Sequence, residues 1–89
     1  MSIRKLKSAP CSNCYIKDYD NVIVLVSYST PVIIVENGWL HINGLYSATT
    51  RKHIGKFMRE MGYGDYQLAK KLFAMRVDYN VETGEIVEW

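Results

Sequence analysis

The chain has 89 residues and a formal net charge of +2, with 48% hydrophobic and 22% charged residues. A chain this short has too little apolar surface for two independent cores, and its apolar share is too high for a disordered chain. We therefore expect one domain over residues 1–89. No apolar run approaches the ~18 residues that a bilayer crossing needs, and the first residues do not resemble a signal peptide, so we expect a cytoplasmic protein without a membrane partner.

The first segment, residues 1–21, is polar and interrupted by turn-forming residues, which predicts an arm held locally against the body. Cys11 and Cys14 have the spacing of two thiolate ligands of one zinc ion, and tetrahedral zinc needs two more ligands. His41 and His53 are the candidates, with Asp18 or Asp20 as nearby oxygen donors, and such a zinc would be structural. The cysteines also fit a redox pair or two inert buried residues, and a zinc shared between two chains would make a homodimer.

Residues 22–43 carry the pattern of three strands. Their first β-branched run predicts a central strand that is buried on both faces. Asn37-Gly38 then predicts a two-residue type I′ turn, which sets a hairpin register in which Glu36 faces Trp39. In this register four apolar side chains share the side that we expect to face the core: Ile33, Val35, Leu40 and Ile42.

Residues 49–76 predict two helices. Thr49 or Thr50 is the expected N-cap of the first, and Gly62 is expected to end it. Apolar side chains recur between these points at the spacing of a buried helical stripe, which is formed by Ile54, Phe57, Met58 and Met61.

The second helix is expected to begin after Asp65 and to bury Leu68, Leu72 and Met75. Residues 77–89 then fit a small hairpin or an acidic tail. The predicted fold class is α+β, with a three-stranded antiparallel sheet packed against two helices, a cysteine-containing N-terminal arm and a C-terminal hairpin.

Charges are segregated along the second half of the chain. Seven cations and two acids lie in 51–76, whereas all four charged residues of 77–89 are acidic. This pattern predicts one basic and one acidic face. Tyrosines near the basic residues could anchor an interface. The candidate partner-binding residues are Arg51, Lys52, Lys56, Arg59, Lys70, Lys71, Tyr63 and Tyr66.

Two threonines and two cations, Thr49-Thr50-Arg51-Lys52, stand at the start of the first helix, where we expect the threonine hydroxyls and amides to point outward. Amides at a helix start attract anions, so this segment could bind a phosphate or a partner carboxylate; the alternative is a solvated face. The sequence contains no nucleophile with a neighbouring base, no phosphate-binding glycine loop and no metalloprotease motif. We therefore expect no catalytic residues and no enzyme activity.

Three features follow one another along the chain: a Ser-Tyr-x-Thr strand at residues 27–30, a hairpin, and Tyr-Ser-x-Thr-Thr-x-x-His-Ile at residues 46–54. In these features the chain resembles a family of small, mostly uncharacterised proteins from phages and prophages of Gram-positive bacteria. The resemblance covers roughly residues 22–62. The cysteines lie outside that stretch, so the zinc hypothesis depends on their spacing alone.

Some phage proteins of this size are anti-CRISPR proteins, which bind an RNA-guided nuclease and block its DNA recognition or cleavage. The resemblance thus implies a phage-encoded protein inhibitor that acts by occlusion in the host bacterial cell. A nucleic-acid-binding regulator that uses the basic helices is the alternative. A third hypothesis is a protein that sequesters an anionic nucleotide at the start of the first helix.

Overall fold

The computed structural model describes residues 2–6 and 13–89. Within them, seven strands form a single antiparallel sheet whose spatial order follows the sequence, and two helices lie between the fifth and sixth strands. The elements are β1 (Ser2–Arg4), β2 (Cys14–Asp18), β3 (Val22–Ser27), β4 (Thr30–Glu36), β5 (Trp39–Ile42), α1 (Ala48–Glu60), α2 (Tyr66–Met75), β6 (Val77–Asn80) and β7 (Ile86–Glu88). Neither described helix has the length and apolar character that a bilayer crossing requires.

The α+β class is confirmed, but the sheet of the described residues has seven strands and not the three that were predicted. The N-terminal arm contributes β1 and β2, and the C-terminal residues contribute the hairpin β6–β7. In β2, Cys14 and Ile16 are fully buried opposite Ser27 and Leu25 of β3. The arm is therefore part of the sheet, and Leu6 after β1 is also fully buried in the core.

The hairpin at Asn37-Gly38 has the predicted register. Glu36 is opposite Trp39, and the two residues of the turn have φ angles of 54° and 85°, as a type I′ turn requires. The four side chains expected on the core side are all buried: Ile33, Val35, Leu40 and Ile42.

The expectation that β3 is buried on both faces holds only toward the end of the strand, where the consecutive residues Leu25 and Val26 are both buried. Its central residue Val24 pairs with Ile34 of β4, and both side chains are only partly buried. The helices pack on the face of the sheet where the apolar core lies, and Val24 and Ile34 lie on the other face. We call this second face the open face.

Helix α1 begins two or three residues earlier than predicted. Ser47, rather than Thr49 or Thr50, is the N-cap, and its hydroxyl accepts a hydrogen bond from the Thr50 amide at 3.2 Å. The end of the helix is as predicted, with Gly62 immediately after the C-cap at a φ of 75°. Three of the four stripe residues are fully buried, and the fourth, Met61, is half-buried.

Helix α2 begins as predicted, since the Asp65 carboxylate accepts a hydrogen bond from the Leu68 amide at 3.0 Å. Its predicted buried face is only partly correct. Leu72 is buried together with Ala69, but Met75 is 46% exposed because it lies in the last turn, at the margin of the contact with the sheet. The helix ends at Arg76.

Candidate functional site

A groove of about 360 Å³ runs along the exposed side of α1. Its lining residues are Arg51, Lys52, Gly55, Lys56, Arg59 and Tyr66. With 3.6 residues per turn, the lining positions of α1 fall on one side of the helix, opposite the buried stripe of Ile54, Phe57 and Met58. The amphipathic pattern that directs the apolar stripe into the core thus gathers four cations on the surface.

Gly55 provides the floor of the groove, and Tyr66, the first residue of α2, forms part of its wall. A Cβ atom at Gly55 would lie 3.2 Å from the Cβ atom of Tyr66, closer than most side-chain contacts. The absence of a side chain at this position therefore lets α2 approach α1 and also leaves open space between the flanking cations.

The electrostatics of the groove are positive. None of the lining residues is acidic, and α1 has no acidic residue in its first turn. Glu60, the nearest acid along the helix, accepts a hydrogen bond from Arg4 of β1 at 2.9 Å. The positive end of the helix dipole lies beside Arg51 and Lys52, so the helix itself adds to the attraction of an anion.

A buried polar cluster lies on the opposite side of the start of α1. The Ser27 hydroxyl is 3.1 Å from the Thr50 hydroxyl and 3.0 Å from Nδ1 of His53. All three residues are at most 5% exposed, and Ser47 Oγ donates to Thr50 Oγ1 at 3.2 Å. The cluster joins the first turn of α1 to β3, and its burial closes the Ser27 hydroxyl to a substrate.

The environment of His53 favours its neutral form. Burial lowers the pKa of this histidine below its usual 6.5, and the positive charge of Lys56 lowers it further. The Tyr28 ring lies 6.1 Å from the imidazole, between ring centroids. His53 is thus held inside the fold, beside the buried stripe of α1.

The groove unites only part of the predicted partner-binding set. Arg51, Lys52, Lys56, Arg59 and Tyr66 line it together. Two further predicted residues, Lys70 and Lys71, are exposed on α2 and do not line it.

Tyr63, also predicted to bind a partner, is half-buried against the core, where its ring and that of Phe57 form a T-shaped pair with 6.0 Å between centroids. Burial raises the pKa of its hydroxyl, and the negative charges of Asp18 and Glu82 raise it further. The position of Tyr63 therefore separates it from the groove.

The hydroxyls of Thr49 and Thr50 were expected to point outward at the helix start. For Thr50 this was wrong, because its side chain is buried in the cluster with Ser27 and Ser47. An anion would therefore meet the side chains of Arg51 and Lys52 rather than both threonine hydroxyls.

The predicted zinc ligands lie in different places. Cys14 is buried and pairs with Ser27 of the adjacent strand β3. Cys14 and His53 are therefore both neighbours of that serine. His41 lies on the open face, and Cys11 lies outside the described residues. Among described residues, no group of three histidine, cysteine or acidic side chains could hold a metal ion. Zinc binding stays a prediction, which the metal content of the purified protein tests.

On the open face, His41 is part of a contact that the sequence did not indicate. Oδ1 of Asp78 is 2.7 Å from Nδ1 of His41 and accepts a hydrogen bond from Nε1 of Trp89 at 2.8 Å. The centroids of the His41 and Trp89 rings lie 4.9 Å apart. This contact ties β5 and β6 to the residue that follows β7.

Sequence reasoning also missed Gly55 as the groove floor and Ser27 as the centre of the polar cluster. A glycine in the middle of a strong helical pattern was the available signal for the first, because it lowers helix stability unless packing requires it. Ser27 carried no comparable signal, since its partners come from a helix more than twenty residues away.

Comparison with known proteins gives a family for most of the chain. Residues 1–74 match the family of unknown function DUF8033. The chain belongs to this family. The matched part includes the whole basic groove, whereas β6 and β7 lie beyond it. No curated protein and no solved structure gives a significant match.

Proposed function

We propose that this DUF8033 protein acts by binding rather than by catalysis, and that its basic groove binds nucleic acid. The observation that carries the proposal is the set of four exposed cations along one side of α1, with no acid among the lining residues. Arg51 and Arg59 are separated by eight residues of helix, or about 12 Å. That length corresponds to roughly three or four nucleotides of one strand at about 3.4 Å each.

The lining side chains suit the parts of a nucleotide strand. An arginine guanidinium can bind a phosphate through two parallel hydrogen bonds, and a lysine supplies a compact charge beside it. Tyr66 offers an aromatic ring at the wall for stacking against a base. Since none of these groups distinguishes one base from another, we expect binding with little sequence preference.

The salt dependence of binding tests this proposal. With four phosphate contacts, the logarithm of the binding constant should fall with the logarithm of salt concentration with a slope of about −3 to −4. The double variant Lys56→Gln/Arg59→Gln should reduce the magnitude of that slope by about 2. Fluorescence anisotropy with labelled single-stranded and double-stranded oligonucleotides gives both values.

The matched control is Lys70→Gln/Lys71→Gln, which removes the same charge from exposed positions outside the groove. It should keep most of the wild-type affinity and slope. Equal losses in the two double variants would mean that net charge, and not the groove, attracts the nucleic acid. No binding to either oligonucleotide at low salt would contradict the proposal.

A second candidate function is inhibition of an RNA-guided nuclease. The resemblance of the sequence to phage proteins supports this candidate. Such a nuclease offers both a bound nucleic acid and basic protein surfaces. This chain carries a basic groove on α1 and an acidic segment with exposed apolar side chains around β7. Opposite charges on separate surfaces suit binding to a protein with such mixed surfaces.

Affinity capture from a host lysate distinguishes the two candidates. The inhibitor function predicts that one large protein stays bound after nuclease digestion of the lysate and that the purified chain slows DNA cleavage by that protein. The nucleic-acid function predicts that digestion releases what was bound and that competitor oligonucleotide has the same effect.

A further inference from the structure

Strand β7 is the last strand of the sheet among the described residues, and it has a neighbour on one side only. All three of its residues are exposed. Ile86 is 50% and Val87 54% exposed, and Trp89 immediately after the strand is 53% exposed. Three large apolar side chains are therefore about half exposed along one edge of the sheet.

The hydrogen bonds with β6 show which backbone groups of this edge are unused by the sheet. The Asn80 amide donates to the Glu85 carbonyl at 2.8 Å, and the Trp89 amide donates to the Arg76 carbonyl at 3.0 Å. In an antiparallel pair the bonded positions alternate, so residues 85, 87 and 89 direct their backbone groups toward β6. The amides and carbonyls of Ile86 and Glu88 consequently point away from it.

The charge at this edge selects the kind of partner. Glu82, Glu85 and Glu88 are exposed, and residues 77–89 contain no cation. A second copy that paired here in antiparallel fashion would bring like charges together, which is unfavourable. A strand with basic side chains would meet opposite charges instead.

We propose that β7 is a docking strand for an extended, basic segment of a partner protein, which adds to the sheet as a further antiparallel strand. The outward amides and carbonyls of Ile86 and Glu88 supply main-chain hydrogen bonds, and the glutamates pair with lysine or arginine side chains. The Trp89 ring, held by its hydrogen bond to Asp78, presents an aromatic surface to a cation. This surface is distinct from the α1 groove.

The test uses two short synthetic peptides, one in which lysine and valine alternate and one in which glutamate and valine alternate. We expect only the basic peptide to bind the full chain. Amide hydrogen exchange followed by NMR should slow at Ile86 and Glu88 on binding, while the amide of Val87, already bonded to β6, should change little. Equal binding of both peptides, or protection confined to α1, would overturn the proposal.

A pair of variants separates main-chain pairing from side-chain contact. Ile86→Pro removes an amide that faces away from β6, a position at which edge strands tolerate proline. We expect it to weaken binding of the basic peptide about tenfold or more. Ile86→Thr keeps the amide and should bind within about threefold of wild type. An Ile86→Pro variant that melts like wild type and binds the peptide equally well would overturn the proposal.

Two further measurements complete the test. Glu85→Gln/Glu88→Gln should weaken the basic peptide by about tenfold, whereas Lys56→Gln/Arg59→Gln should leave it bound, which keeps this result independent of nucleic-acid binding. Sedimentation without peptide should show a monomer. Self-association that Ile86→Pro abolishes would overturn the proposal in favour of a second copy at the edge.

Discussion

At the scale of single residues, the contacts among Ser27, Thr50 and His53 hold the basic groove in place from behind. Thr50 and His53 lie one helical turn apart on α1, and both contact a serine at the end of β3. The next residues of the helix, Arg51, Lys52 and Lys56, point to the groove. These buried hydrogen bonds therefore help to hold α1 in the orientation that presents the cations at the groove.

Replacing Thr50 by valine tests this role. Thr50→Val removes a buried hydroxyl and leaves the Ser27 hydroxyl with one partner fewer, so the free energy of unfolding should fall by about 1–3 kcal/mol. Thr49→Val, at the exposed neighbouring position, should change it by less than about 0.5 kcal/mol. Urea unfolding of both variants provides the comparison, and similar losses would show that the hydroxyl contacts contribute little.

The lowered pKa of His53 predicts a pH dependence of stability. Below about pH 6.5 the unfolded chain binds a proton at this histidine more readily than the folded protein does. Stability should therefore be lost as pH falls from about 6.5 toward the folded-state pKa. The urea midpoint should drop between about pH 7.5 and pH 5.5, and His53→Asn should show a smaller drop over the same range. An equal drop in both proteins would refute this.

How far these residue-scale features could be predicted depends on whether their causes are local. The cations of the groove follow from charges counted along one helix, so four of the six predicted partner-binding cations were found together. The polar cluster joins a strand to a helix, and the sequence shows neither the distance nor the direction of such a contact. His53 was accordingly considered as a zinc ligand, while its partner Ser27 was noted only as part of the Ser-Tyr-x-Thr motif.

At the scale of elements, the two helices end in the same backbone conformation with different residues. Gly62 follows α1 at a φ of 75°, and Arg76 caps α2 at a φ of 55°. Glycine adopts this left-handed region freely, whereas a residue with a Cβ atom is strained there by about 1 kcal/mol. The end of α2 therefore lowers the free energy of unfolding through backbone strain, whereas the end of α1 does not.

Exchanging the residue types at these two ends should have opposite effects. Gly62→Ala should lower the free energy of unfolding by about 1 kcal/mol, because a Cβ atom there meets nothing within 4 Å and the cost is conformational. Arg76→Gly should raise it by about 0.5–1 kcal/mol. Thermal melting measures both, and changes of the same sign would contradict the conformational explanation.

Among the elements, those with local determinants were predicted well. Turn chemistry alone determined the hairpin at Asn37-Gly38, and capping residues located the start of α2 and the end of α1. The strands β1 and β2 were missed because they are short and partly polar, and pairing with β3 is what makes them strands. Such pairing is a tertiary effect that outweighs local propensity.

At the scale of the whole molecule, the sheet joins a basic region on α1 to an acidic edge at β7. The described residues before β2 are attached to this body by the pairing of β1 with β2, by Leu6, which is fully buried, and by the ion pair between Arg4 and Glu60. The ion pair is partly exposed, so burial of Leu6 should contribute more to the attachment than the ion pair does.

Truncation of two apolar side chains near the N-terminus tests that distribution. Leu6→Ala should lower the free energy of unfolding by about 2–4 kcal/mol, since it leaves a cavity in the core. Ile3→Ala, at a position 58% exposed, should cost less than about 1 kcal/mol. Chemical denaturation and limited proteolysis report stability and release of the arm. A mild effect of Leu6→Ala would mean that the arm contributes little to the core.

The order of the strands in the sheet, which repeats their order in the sequence, has a consequence for folding kinetics. From β1 to β5 each strand needs only its predecessor as a partner, so these pairs can form one after another while the chain leaves the ribosome. The exception is β6, which must reach β5 across both helices and close the loop from Asn43 to Arg76. We expect this closure to be the slowest conformational step of folding. The two helices should form before it and shorten the distance between the ends of the loop.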